Sequence, residues 1–156
     1  MLKSVNFLSH HLRIGSVSRD VTGVAAQRVN GTTLHRWMGL GLAKGNIDVL
    51  FAELQRSTSL LRRWKETDVL VIDEVSMLSK ELFEKVDSLA RLVRGKKESP
   101  FGGMQLVVCG DFLQLPPVNG DFAFKAEALW AACNFQGVQL TEVRATSHTA
   151  LKACNS

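Results

Sequence analysis

The sequence predicts an α/β domain with a mostly parallel sheet flanked by helices, and three observations predict it. Val69–Ile72 is a continuous apolar run, the pattern of a strand buried on both faces inside a parallel sheet, and it ends abruptly in two carboxylates, Asp73 and Glu74. Leu106–Cys109 is a second apolar run that ends in a polar loop, Gly110-Asp111, leading to Gln114 and Pro116-Pro117. Between the two, Leu82, Phe83, Val86, Leu89, Ala90 and Val93 recur at helical spacing and make one apolar stripe.

An acidic pair at the carboxyl end of a buried strand lies where open α/β sheets bind ligands. Two carboxylates there cost desolvation free energy unless a cation or a hydrogen-bond network meets them. Nucleotide hydrolysis uses this layout. The first carboxylate holds magnesium, directly or through water, and the second orients or deprotonates the attacking water. The plain alternative is a strand followed by an acidic helix start. Gln114 carries a neutral donor and acceptor that can read a terminal phosphate or orient water, and the proline pair stiffens the chain just after it. Its plain alternative is a loop amide satisfied by nearby backbone.

The chain has 156 residues, enough for one domain with a real core. Apolar content of 46% and charged content of 22% are ordinary for a globular protein. Nineteen basic against fifteen acidic residues leave a net charge of +4, which permits a polyanionic partner without demanding one. No apolar run reaches membrane-spanning length. Three cysteines, far apart and without a Cys-x-x-Cys pair, argue against a disulfide framework and a zinc site, and so for a reducing compartment.

Taken in order, Leu2 to Ile14 has a loose helical spacing too broken for a signal peptide. Lys3-Ser4 matches the tail of the phosphate-loop pattern G-x-x-x-x-G-K-[ST], although a dipeptide also arises by chance, and the full pattern occurs nowhere in the sequence. Thr22-Gly23 is a turn or cap signal, Val24–Val29 a short helix, and Thr32 or Thr33 the cap of a helix carrying Leu34, His35, Trp37 and Met38. Trp37 reads as core. Gly39–Asn46 is a glycine-rich connection without phosphate-loop spacing. Ile47–Gln55 and Leu60–Trp64 read as helices, and Arg62, Arg63 and Lys65 as a basic, solvated face. Ser79 caps a helix over Lys80–Arg94, where Glu81 with Lys85 and Asp87 with Arg91 form i,i+4 pairs. Gly95–Gly103 reads as a loop, Phe122 and Phe124 as a short strand, Lys125–Ala132 as a helix, and Val138–Leu140 as a last strand. Residues 145–156 are polar and expected to fray.

IDEVSML, PFGG (Pro100–Gly103) and GDFLQLPPV, in this order and spacing, with TGVAA (Thr22–Ala26) and GTTLH (Gly31–His35) upstream, resemble the Pif-one family of DNA helicases, related to RecD. The resemblance covers about residues 22–143. It implies a RecA-like P-loop NTPase domain, the first of two motor domains, spanning residues 1–144 and lacking its phosphate-loop strand and the second motor domain. It places that strand between the two apolar runs, and the next strand at Ser16–Val21. It implies ATP and Mg²⁺ as cofactors, single-stranded or forked DNA as partner, no membrane, and movement from the five-prime toward the three-prime end. Asp73 then holds magnesium, Glu74 is the base, and Gln114 senses the terminal phosphate. Lys3 and Ser4 contact phosphate, with Ser4 also on magnesium, and Arg144 stands one position early for the arginine that reaches ATP. Thr22, Gly23, Thr33 and His35 contact DNA; for His35 a packed, hydrogen-bonded histidine is the other reading. The expected localisation is nucleus or mitochondrion in a eukaryote and cytoplasm otherwise, with no readable signal. A truncated or misplaced start, or a degenerate copy binding DNA weakly, is the alternative to a working motor.

Overall fold

The computed structural model describes residues 14–18, 32–41 and 43–140, the first segment as backbone only. Three parallel strands form one sheet in the order β1 (Ile14–Ser18), β2 (Val69–Asp73), β3 (Gln105–Val108). Ile14 pairs with Val69 and Ser18 with Asp73 on one side of β2, and Val69 pairs with Gln105 and Ile72 with Val108 on the other. The helices are α1 (Leu34–Met38), α2 (Ile47–Gln55), α3 (Thr58–Glu66), α4 (Lys80–Arg94) and α5 (Glu127–Ala132).

β2 is the central strand, and its Val69, Leu70 and Ile72 are buried as its unbroken apolar run requires. α4 covers it with Leu82, Phe83, Val86, Leu89, Ala90 and Val93, all buried on the predicted stripe. Ser79 caps α4 by accepting from Leu82 N–H at 3.3 Å, and Gly95 ends it in the left-handed conformation. α2 spans the predicted residues, and Asn46 Oδ1 accepts from Val49 N–H at its start. Trp37 and Trp64 close the core on the α1–α3 side, with ring centroids 4.7 Å apart and the Trp64 indole N–H donating to Met38 C=O.

Several expectations are corrected. The two carboxylate- and glutamine-bearing runs are direct neighbours, with no strand position between them: Gln105 N–H donates to Asp68 C=O and Cys109 N–H to Ile72 C=O, both at 2.9 Å. Val69–Ile72 and Gln105–Val108 pair residue for residue in one register. The open sheet position lies instead on the outer edge of β3, which has no partner strand among the described residues. β3 is also not buried: its residues alternate between exposed and half-buried, because one side lacks a neighbour. β1 begins at Ile14 rather than Ser16. α3 begins earlier than expected, since Ser57 caps it, and runs on to Glu66.

Phe122 makes only an isolated antiparallel bridge to Ser79, and Ala123–Lys125 is a 3₁₀ turn, so no strand forms there. α5 accordingly starts at Glu127. Val138–Leu140 has no strand partner among the described residues and lies open, with Leu140 88% exposed. Of the two i,i+4 pairs only Asp87–Arg91 is present. Lys85 reaches Ala43 C=O at 3.0 Å, and the Glu81 carboxylate lies against Gly120.

Candidate functional site

The carboxyl ends of β2 and β3 are stitched together. After Asp73 the chain turns through Glu74, which takes φ 54° and ψ 45°, a left-handed conformation that costs a residue with a Cβ about 1–2 kcal/mol. Asp73 Oδ1 accepts from Glu74 N–H at 2.9 Å and holds that turn. Val75 N–H then donates across to Cys109 C=O at 2.9 Å. At this crossing Gly110 packs so closely that a Cβ would lie 2.9 Å from Val75 N, which is why a side chain is missing there. The two acids and the start of the glutamine loop thus share one edge of the sheet.

Gln114 stands further along that loop, exposed. Asp111 organises it: one carboxylate oxygen accepts from Leu113 N–H at 2.9 Å, the other from Gln114 Nε2 at 3.2 Å, and Asp111 C=O accepts from Gln114 N–H at 3.1 Å. The loop returns under control of α4. Lys80 N–H donates to Asp121 C=O at 2.8 Å and Ala123 N–H to Leu78 C=O at 3.0 Å. The segments that follow the two apolar runs are therefore zipped together twice, once at Val75–Cys109 and again at Leu78–Ala123.

Asp73 keeps its second carboxylate oxygen without a protein partner among the described residues. A lone carboxylate suits magnesium, which is commonly held by one or two carboxylates with phosphate and water completing the octahedron. No group of three or more His, Cys, Asp and Glu side chains converges among the described residues, so no all-protein metal cage is formed there. The Cys109 thiol is pushed up from its ordinary pKa, first by desolvation and then by the neighbouring Asp73 carboxylate.

Other predicted site residues fall elsewhere. Thr33 caps α1, its hydroxyl accepting from Arg36 N–H at 3.2 Å, and His35 on α1 is half-buried and engaged. Lys3, Ser4, Thr22, Gly23 and Arg144 lie outside the described residues. No described helix is long and apolar enough to cross a membrane.

Sequence reasoning missed the polar clamp at the opposite edge of the sheet. Asp87 is buried, grips Arg91 Nε at 2.8–2.9 Å and accepts from Phe101 N–H at 2.6 Å. Arg94 donates to Gly102 C=O and to the carbonyls of Trp64, Lys65 and Thr67 at 2.8–3.0 Å. Together they fix the Pro100–Gly103 turn, whose Gly102 sits at φ 58° with space for no Cβ beside Ala90 C=O. The i,i+4 spacing gave the Asp87–Arg91 pair; what it did not give is the reach of Asp87 to Phe101 N–H and of Arg94 to four carbonyls. Arg62, Arg63 and Lys65 are exposed, as the sequence reads, and Arg63 in addition donates to the Arg36 and Trp37 carbonyls at the end of α1.

The fold and this edge define an α/β domain of the RecA-like helicase class. A PIF1-like helicase model matches residues 6–153, and the chain belongs to that family. It is 47% identical over 126 residues to the ATP-dependent DNA helicase PIF1 of Saccharomyces cerevisiae (strain YJM789), covering 77% of this chain and 14% of that protein. It is 45% identical to the Xenopus laevis PIF1 helicase over 79% of this chain and 20% of that one. Among solved structures, the Candida albicans Pif1 helicase superposes with a TM-score of 0.74 at 38% identity, over 83% of this chain and 29% of the other. The Bacteroides sp Pif1 in complex with ADP-AlF4 gives a TM-score of 0.61 at 27% identity, over 81% and 28%. The chain thus spans only a minor part of the length of these relatives.

Proposed function

We propose that this chain supplies the acid-bearing edge of the first motor domain of an ATP-dependent DNA helicase. The observation that carries the reading is the Asp73–Glu74 turn: a left-handed Glu74 locked by Asp73 Oδ1 and stitched through Val75 to the strand that leads to Gln114. Strain held at a ligand-binding edge is characteristic of functional turns. In this proposal Asp73 binds the magnesium of ATP through its second carboxylate oxygen, and Glu74 accepts the proton of the attacking water. Gln114 contacts the terminal phosphate after leaving Asp111. Lys3 and Ser4 contribute phosphate and magnesium contacts, and Arg144 reaches the nucleotide. Magnesium, when bound, neutralises charge on the phosphates; the residues named here orient water and hold the edge rigid.

The proposal extends to single-stranded or forked DNA as the partner, with Thr22, Gly23, Thr33 and His35 on its backbone. It includes a second motor domain that opens and closes against this one, five-prime to three-prime movement, and roles in repair, recombination or telomere maintenance. The nucleus or mitochondrion follows if the source is eukaryotic, the cytoplasm otherwise. A fluorescent ATP analogue titrated with magnesium tests the nucleotide site. Saturable, magnesium-dependent binding is expected, and its absence overturns the site. In a helicase that carries this domain, Glu74→Gln is expected to keep ATP binding and abolish turnover; hydrolysis at the wild-type rate would refute the role of Glu74.

A further inference from the structure

Phe112 stands between Gly110, which meets the acid-bearing turn, and Gln114. Its ring is edge-on to two others: the centroids lie 5.1 Å from Phe124 at 88° and 6.1 Å from Phe122 at 79°. Phe122 and Phe124 are stacked on each other, 5.1 Å apart with 14° between their planes. An edge-to-face contact is favoured because the positive ring edge meets the negative ring face. Phe124 in turn meets Trp130 at 6.5 Å, and Trp130 meets Phe83 of α4, which is fully buried, at 5.6 Å. The rings thus tie the glutamine loop to the core. The Phe122–Phe124 platform is also fixed to the segment that follows Glu74, through Lys80 N–H to Asp121 C=O and Ala123 N–H to Leu78 C=O. One platform therefore holds the continuation of the acid-bearing turn by main chain and the glutamine loop by a side chain.

We infer that Phe112 is a positioning residue for nucleotide turnover: its ring, braced edge-on against Phe122 and Phe124, sets where Gln114 stands relative to Asp73 and Glu74. The inference rests on the proposed ATP site. Asp111 to Gln114 is a turn closed by Gln114 N–H on Asp111 C=O, with Phe112 and Leu113 at its corner. Leu113 is 95% exposed, so of the two corner side chains the ring is the one that holds. A displaced Phe112 carries Gln114 with it. In the proposed reaction Gln114 gives up the bond from its side-chain amide to Asp111 for the terminal phosphate, so that bond does not fix its place in the working state. The ring contact survives the exchange. Phe112 supplies no chemistry of its own, since a phenyl ring neither moves a proton nor pairs with a phosphate.

Two measurements test it. On the chain as it stands, Phe112→Ala is expected to speed amide hydrogen exchange at Leu113 and Gln114 by about threefold or more and to leave Val75 unchanged. Phe112→Leu, which keeps apolar bulk and removes the ring, is expected to do the same and stands in for the alanine variant if that one unfolds. Unchanged exchange at Leu113 and Gln114 in either folded variant overturns the inference. In a helicase that carries this domain, Phe112→Leu is expected to lower kcat by about tenfold with KM for ATP held within about twofold. In a Gln114→Ala background the same change is expected to cost less than about twofold further, because a residue acting through Gln114 has nothing left to place. A full tenfold loss in that background, or a wild-type kcat in the single variant, overturns the inference and leaves the ATP site standing. Wild-type turnover in Gln114→Ala alone would remove the proposed role of Gln114 and this inference with it.

Discussion

At the amino ends of β2 and β3, one arginine spans four carbonyls and one buried aspartate holds both a neighbouring arginine and a turn amide. At the carboxyl ends of the same strands, Glu74 is strained, and among the described residues Gln114 is anchored to Asp111 within its own loop. Leucines there face solvent. The first edge is satisfied internally and can be rigid in isolation. The second leaves one Asp73 carboxylate oxygen without a protein partner among the described residues and exposes Leu113 and Leu115. Rigidity at one end lets the other carry strain, because the register of β2 and β3 is fixed before the chain reaches Asp73 and Gly110.

The strongest way to break this comparison is at Asp87. Asp87→Ala leaves Phe101 N–H buried without an acceptor and Arg91 without its partner, so unfolding free energy should fall by about 3 kcal/mol, read from the urea midpoint. A loss below about 1 kcal/mol would mean that the amino edge is not the rigid one. Gly110→Ala should cost somewhat less, about 2 kcal/mol, because the backbone of buried Val75, 2.9 Å from the new Cβ, must shift. It should nevertheless reduce magnesium-nucleotide binding, and a stability loss as large as that of Asp87→Ala would erase the contrast.

A smaller effect concerns pH. Desolvation, with Asp87 adding and Arg91 opposing, pushes the Cys133 thiol up to about 11 from an ordinary value of 9.0. The folded state therefore favours the protonated thiol. That contribution is fully present below pH 9.0 and is lost as pH rises through about 11. Urea midpoints should fall across this window, and Cys133→Ala should fall less; identical curves would contradict the assignment. The smallest effect is expected at Leu113. Leu113→Ser should shift stability by no more than about 0.5 kcal/mol, since the side chain is 95% exposed, while improving solubility. A larger loss would show that the carboxyl-edge loop packs on the core.

Much of this was legible in the chain. Val69–Asp73 announced a central buried strand, and Ser79, the Leu82–Val93 stripe and Gly95 bounded α4 to the residue, because capping and periodicity are local. The acidic pair was legible for the same reason: a carboxylate ending an apolar run has few explanations. The order of strands was not, since register depends on which edges meet in space, and the two runs proved to be neighbours. Phe122 and Val138–Leu140 read as strands by alternation but have no partner ladder among the described residues, and a strand exists only with one.

The sequence by itself determined the family, the bounds of α2 and α4, the central strand and the position of Asp73, Glu74 and Gln114 at polar ends of apolar runs. Tertiary structure alone decided that the two runs pair directly, that Glu74 is left-handed, and that Asp87 and Arg94 lock the far edge. Local propensity follows from a few adjacent residues. Pairing, strain and buried polar contacts depend on groups brought together from distant parts of the chain.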